Sequence, residues 1–398
     1  MLNGVTVIDL TTEVAGPYAT KLLGGFGAEV IKVETPFRGD PVRSWGPFPG
    51  DLPHPEKSGT FLHLNLNKKG ITLDLHCATG RKILFDLIQR ADILVEGLSP
   101  RDRAGFGLEY ASVSLLNPKM VHTSVTPFGT AGPYRDYQAT DIMVYAMGGQ
   151  MISQGLPDRE PVNLAPNVVL YTVGLHVAMA TMGAFSAVEP LGRGQHVDIS
   201  MVEALSSSAD GRTNALVGFQ FTGERTSRNR EGVRGYPVGI YPCADGYVFF
   251  QAGGHWREVA NMLQMPELLD DPRFRTPEAQ AHPGNREAFE AIFLPWLMPR
   301  GKHEVWRLGV QAGLVVAPLN TTLDVLGDRH FQATGAWATV DHPALGQVRV
   351  LGRPLLVEGD PCQIYRPAPL LGQHNEEVLG TLGYGRQDLV KLRATGVI

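Results

Sequence analysis

The first hundred residues alternate short apolar runs with amphipathic ones. Residues 5–10 (VTVIDL) read as a buried strand, 17–23 open a helix, and 28–34 (AEVIKVE) form a second strand. Further along, 70–75 is extended, 80–90 carries helical spacing, and 92–96 and 120–125 are strands. Strands separated by helices predict a parallel, Rossmann-like sheet. Residues 139–150 and 171–188 read as mostly apolar helices, and 196–201 return to strand. Between 221 and 239 the chain turns polar, Arg-rich and Gly-punctuated (ERTSRNREGVRG), which marks a linker. A second unit follows, with a strand at 247–251 and helices near 256–263 and 303–311. Past 324 come Pro- and Gly-rich turns, a strand around 347–351 and a short terminal helix. The pattern predicts an α/β chain with a large domain from 1–220 and 325–398, and a linker with a small α/β domain at 221–324.

Composition narrows the partners. A chain of 398 residues, 43% hydrophobic and 19% charged, is an ordinary globular protein with enough length for a sizeable core. A net charge of -5 argues against a nucleic-acid partner. The absence of an unbroken run of 18 apolar residues predicts no membrane span, and MLNGVTVIDL lacks the basic and apolar regions of a signal peptide. Cys77, Cys243 and Cys362 have neither metal nor disulfide spacing, as expected of ordinary thiols in the cytoplasm.

Local chemistry is sparse. Gly24, Gly25 and Gly27 follow the first helix, whereas a dinucleotide loop must precede it, so they read as a helix-ending turn. The loop TTEVAGP at 11–17 does lie between strand and helix, at the carboxyl end of the strand where open α/β sheets bind ligands. Neither a G-x-S-x-G elbow nor an H-E-x-x-H motif occurs. His122, His176 and His196 sit in apolar runs and read as core histidines, while Asp141 opens a helix as a dipole partner or a ligand contact. These residues describe a ligand cleft without naming a reaction.

Longer strings name a family. AGP at 15–17 is followed by GAEVIKVE at 27–34, GD at 39–40, NLNKK at 65–69 and ADILVE at 91–96. FG at 128–129, GPY at 132–134, GRGQ at 192–195, VDIS at 197–200, DPRF at 271–274, RPAP at 366–369, LGQH at 371–374 and LGY at 382–384 continue the series. Collinear over nearly the whole chain, these strings resemble the family III CoA-transferases. The resemblance implies a CoA thioester as substrate, with no tightly bound cofactor, and a free organic acid as acceptor. It implies a large domain made from both chain ends, and two chains interlocked like links with sites where they meet. It also implies CoA contacts at Val14 and Ala15 beside the thioester, at Leu73, Asp74, Leu75 and His76, at Gly97, Leu98 and Ser99, and along 138–141 to Asp141. The family's arginine after the second-strand glutamate is Thr35 here, which leaves Arg38 or Lys32, with Arg103, as phosphate partners. The turn QAGG at 251–254 resembles a mobile glycine-rich shield over the acyl intermediate.

One position departs from the family. The transferases attack the thioester with an aspartate nine residues after a proline, because the covalent intermediate must itself be an activated acyl group. Counting from Pro161 reaches Leu170, and the histidine position of related racemases holds Thr140. Two readings follow. In one, the chain is the nucleophile-free subunit of a heteromeric CoA-transferase whose paralogous partner brings the aspartate. In the other, it is an acyl-CoA-binding or racemase-like protein relying on Glu13 and Asp141. Val14 predicts an apolar acyl pocket suited to a larger organic acid.

Overall fold

Five runs of mostly buried residues and a more exposed edge strand line up as one all-parallel sheet: β1 (Thr6–Leu10), β2 (Glu29–Glu34), β3 (Lys68–Thr72), β4 (Ile93–Glu96), β5 (Val121–Thr126) and, at the edge, β6 (His196–Ser200). Their order in space is β3-β2-β1-β4-β5-β6. The computed structural model describes all residues except 157, 208–211, 225–234, 353–354, 356 and 359–362. Helices cover both faces, so Val7, Ile8, Ile93, Leu94 and Val95 are all buried, giving the near-continuous apolar runs of a parallel sheet. The strand order reverses between β1 and β4, and the crevice at their carboxyl ends is where such sheets receive ligands.

The connecting helices are α1 (Ala15–Gly25), α2 (Gly59–Asn65), α3 (Ala78–Ile88), α4 (Pro100–Phe106), α5 (Tyr110–Leu116), α6 (Asp141–Met147) and α7 (Val168–Ser186). The spacing reading did not anticipate α2, α4 and α5. They are too short to show a period, and α2 and α4 are begun by Ser58 and Ser99, whose hydroxyls accept the N–H groups of Phe61 and Asp102. The other end of the chain stitches itself to this sheet. Asn67 accepts the N–H groups of Tyr365 and Arg366, Asn375 accepts that of Thr72, and Asp74 donates its N–H to Val397.

Helix α7 corrects the expectation about membrane-length segments. It has 19 residues, and an 18-residue stretch of it has a mean hydropathy of 1.6, long and apolar enough to cross a bilayer. In the fold its Val173, Val177 and Ala178 are buried in the core that also holds Val14 and Ala19 of the α1 region. A Cβ on Gly174 would lie 2.7 Å from the Ala15 carbonyl, so the glycine lets α7 abut the start of α1.

The chain divides into two compact units, Met1–Arg228 with Gly335–Ile398, and Asn229–Thr334. The joints thus fall at 228/229 and 334/335, compared with 220/221 and 324/325 from composition. The Lys302–Asp324 ion pair ties the turn near 324 to the smaller unit, and most of the expected linker lies outside the described residues. That unit holds an antiparallel sheet of β7 (Val238–Cys243), β8 (Gly246–Gln251) and β9 (Val315–Pro318) over an aromatic core in which Tyr236 stacks on Phe289. In the turn at 251–254, Ala252 is buried and donates its N–H to the Pro237 carbonyl, which anchors the strand end. Cys77 and Cys243 are free thiols, and Cys362 lies outside the described residues.

One half-buried histidine makes stability sensitive to acid. His63 of α2 lies beside Lys21 and edge-on to Tyr171. Burial, with Lys21 adding to it, holds its pKa down at about 3. The folded His63 is therefore neutral while the unfolded one gains a proton near pH 6.5, so stability falls as pH drops through the window from about 6.5 to about 3. The loss is expected to reach about 2–4 kcal/mol at the acid end. Urea melts near pH 7 and near pH 4 should show it, and His63→Gln should flatten that part of the profile.

Candidate active site

The turn after β1 is held from beneath by a buried carboxylate. Asp9, fully enclosed, accepts the Thr11 N–H at 3.0 Å, the Thr11 and Thr20 hydroxyls, and Lys68 Nζ at 2.9 Å. Lys68 also donates to the Pro17 carbonyl at 2.8 Å and Asn65 Oδ1 at 2.9 Å. Burial opposes the charge, yet Lys68, Lys32 and the two hydroxyls hold Asp9 well below the usual carboxylate range. From the side, Lys32 bridges Asp40 at 2.8 Å and the Thr11 carbonyl at 2.9 Å, while Asp40 accepts the N–H of Glu13. Between these anchors Glu13 is fixed at a φ of 65°, a conformation that side chains rarely adopt.

Gly16 completes the turn. A Cβ there would lie 2.3 Å from the Thr11 side chain, so only glycine lets the helix start close against the strand. Gly16→Ala is expected to cost about 2–3 kcal/mol through forced displacement of Thr11 from Asp9. Urea denaturation would read the loss, and an unchanged midpoint would contradict this account of the turn. Helix α1 starts in this wall with no side-chain cap and no acidic residue in its first turn, so its leading N–H groups are open to a partly negative ligand atom.

A second wall follows β4. Glu96 accepts the Leu98 N–H at 2.7 Å and pairs with Arg103 at 2.8 Å, and Arg103 returns to the Leu98 carbonyl at 3.2 Å. The buried His122 stands 3.5 Å from the same carboxylate. Burial would raise Glu96, but His122 and Arg103 hold it below its ordinary value.

Two adjoining hollows open at the carboxyl ends of the strands. The larger, about 580 Å³, is lined by the β1 turn, 97–100, 125–127, 135–141, 143–144, Leu170 and Met201. The smaller, about 210 Å³, runs between the β2 end, 73–76 and α4, and both are bounded by Thr12 and Leu98. Val14, Ala15, Gly97, Leu98, Ser99 and Asp141 thus meet in one hollow, and Leu73, Asp74, Leu75 and His76 in its neighbour. The cations behave differently. Arg103, a further candidate for the phosphates, is buried and paired with Glu96, and Lys32 lines the smaller hollow while committed to Asp40. Arg38 is exposed and lines neither hollow.

Leu170 sits in the first turn of α7, 5% exposed, in the same core as Val14 and Ala15 and on the wall of the larger hollow. Two carboxylates share that hollow with it. Asp141 accepts the Asn167 N–H at 3.1 Å through one oxygen, its other oxygen is buried with no hydrogen-bond partner among the described residues, and burial raises its pKa. Burial and the nearby Asp40 raise Glu13. Tyr137, Met143 and Met201 also line the hollow and escaped the sequence reading, because no local pattern joins segments so far apart in the chain.

Residues 2–375 match the family model described as CoA-transferase family III. The chain is 32% identical to formyl-CoA:oxalate CoA-transferase of Streptomyces avermitilis, over 100% of this chain and 99% of that protein. It is 30% identical to succinyl-CoA:(R)-benzylsuccinate CoA-transferase subunit BbsE of Thauera aromatica, over 98% and 97%. Among solved structures, a CAIB/BAIF family protein from Brucella suis superposes with a TM-score of 0.85 at 28% identity, covering 96% of this chain and 99% of that one. Matched along its length by the family model and by transferases at this identity, the chain belongs to the family III CoA-transferases.

Proposed function

We propose that this chain is the nucleophile-free subunit of a heteromeric family III CoA-transferase that acts in the cytoplasm. The observation carrying the reading is Leu170, an apolar side chain on the cleft wall where the family resemblance calls for an aspartate. A leucine has no lone pair with which to attack a thioester carbonyl. The acyl end of the CoA thioester lies in the larger hollow against Val14 and Ala15, and its carrier passes Leu98 toward 73–76. Arg38 and Arg101, both exposed, are the candidate phosphate partners.

The reaction needs a carboxylate from the partner. That carboxylate attacks the thioester carbonyl and expels CoA thiolate, leaving a mixed anhydride. The thiolate then attacks the enzyme-side carbonyl, frees the donor acid and forms an enzyme–CoA thioester, which the acceptor acid takes up by the reverse steps. This chain holds CoA, walls off water and turns the α1 N–H groups toward the thioester region. Surface composition supports an interlocked paralogous pair. Leu175 and Met179, one turn apart on α7, are 50% and 67% exposed, and Phe221 of the helix Arg212–Thr222 is 84% exposed, apolar side chains that a partner chain would cover. A relative named as a subunit supports it too.

The test compares the purified chain with the chain co-purified with a paralogue that has aspartate at the aligned position. CoA transfer is expected from the pair, and hydroxylamine trapping with peptide mapping should place the acyl adduct on the paralogue. Equal transfer by the isolated chain would overturn the reading. An adduct on the peptide of Asp141 would favour a second reading, an enzyme using its own carboxylates, which the unpartnered Asp141 oxygen supports.

A further inference from the structure

The larger hollow is apolar at its centre and negative at its edges. Val14, Val144 and Leu170 are buried in its wall, Met143 and Met201 extend it, and the exposed Tyr137, stacked on Tyr134, continues it at the rim. Its charged lining among the described residues is three acids, Glu13, Asp136 and Asp141, and one base, Arg135. Arg135 is already paired with Asp136, its Nε 3.3 Å from that carboxylate, and both are more than half exposed. The two lysines beneath the β1 turn are committed as well, Lys32 to Asp40 and Lys68 to Asp9.

This arrangement discriminates between acyl chains. When an acid becomes a CoA thioester its reacting carboxylate loses its charge, so only a second carboxylate on the acyl chain keeps one. In this hollow that charge would lie near Glu13 and Asp141 with no uncommitted cation among the described lining residues to meet it. Burial already makes the ionised form of both side chains less favourable, and a ligand carboxylate placed there meets the same penalty. An apolar tail meets instead the aliphatic wall and the aromatic rim, where each buried methylene is favourable.

We infer that the acyl groups this chain accommodates come from apolar monocarboxylic acids, aliphatic or aromatic, and not from the dicarboxylic acids for which its relatives are named. The inference rests on the reading of the larger hollow as the acyl end of a CoA site. The shape of the cleft thus sets a chemistry different from oxalate or succinate transfer within the same fold. Leu170 belongs to the selection, because the side chain that removes the nucleophile also adds apolar surface beside the acyl group.

Titration calorimetry of the purified chain with free CoA, butyryl-CoA, benzoyl-CoA and succinyl-CoA tests it. The expected result is binding of all four, with butyryl-CoA and benzoyl-CoA at least about tenfold tighter than succinyl-CoA. Met143→Arg places a cation on the exposed side of the hollow without disturbing the core, and should narrow or reverse that ratio by tightening succinyl-CoA alone. If free CoA binds and succinyl-CoA binds as tightly as the apolar esters, the specificity inference is overturned while the CoA site stands. If no CoA compound binds, the site reading itself fails and the inference falls with it.

Discussion

Replacing Asp9 by alanine is expected to destabilise the protein by about 3–5 kcal/mol and to abolish CoA binding. The carboxylate is fully buried and has four partners, the Thr11 N–H, two threonine hydroxyls and Lys68. Its loss leaves the Lys68 ammonium enclosed without a counter-charge, and truncating one member of a buried ion pair is far more damaging than replacing both. It also frees the Thr11–Val14 turn, whose strained Glu13 conformation persists only while its anchors hold. Denaturant melts would measure the first effect and calorimetry with CoA the second. Lys68→Met in the Asp9→Ala background should recover much of the stability, since it removes the orphaned charge, but not the binding. A melting midpoint near that of the native protein in the single variant would mean that Asp9 does not carry the turn.

Leu170→Asp is expected to produce the second large effect, in two opposing directions. Stability should fall by about 2–4 kcal/mol, because the new carboxyl replaces an aliphatic group that is 5% exposed beside Val14 and Ala15. The first turn of α7 offers partial compensation, since a carboxylate at a helix N-terminus is favoured by roughly 0.3–1 kcal/mol. Asp141, bonded to the Asn167 N–H in that same region, works against it by like-charge repulsion. With the carboxylate present, incubation with an acyl-CoA should release CoA thiol and leave a hydroxylamine-sensitive adduct on that peptide, while the native chain leaves none. Mass spectrometry of the digested protein reads the adduct directly. A well-folded variant that binds CoA but never acylates would show that Leu170 does not face the thioester carbonyl, and would weaken the subunit reading.

The sheet was legible from the sequence because its strands are buried on both faces and therefore spell uninterrupted apolar runs such as VTVIDL and EVIKVE. The glycine cluster was legible in part: Gly27, at a φ of 100°, lies just past the helix end as expected, whereas Gly24 and Gly25 belong to the last turn of α1 itself. Helices α2, α4 and α5 were not. Seven residues span about two turns, too few for an apolar period to stand out, and their existence depends on packing. Helix α7 exposed a different limit. Its composition fits a membrane as well as a core, and only its contact with α1 tells them apart.

The candidate site divides along the same line. Sequence strings alone located the turn at Val14 and Ala15, the loops at 73–76 and 97–99, and the leucine where a nucleophile is expected, because each is a continuous segment tied to a strand end. The cations were beyond that reading. Lys32, Arg38 and Arg103 look alike as residues, but the fold commits Lys32 to Asp40 and Arg103 to Glu96, and leaves Arg38 exposed to solvent. Which charges remain free is a property of pairs brought together from distant segments in a low-dielectric interior, and pairing of that kind has no period or spacing along the chain. The sequence by itself determined the family, the sheet and the strand-end loops that border the cleft; the tertiary structure alone decided which side chains hold those loops rigid and which still face the cleft.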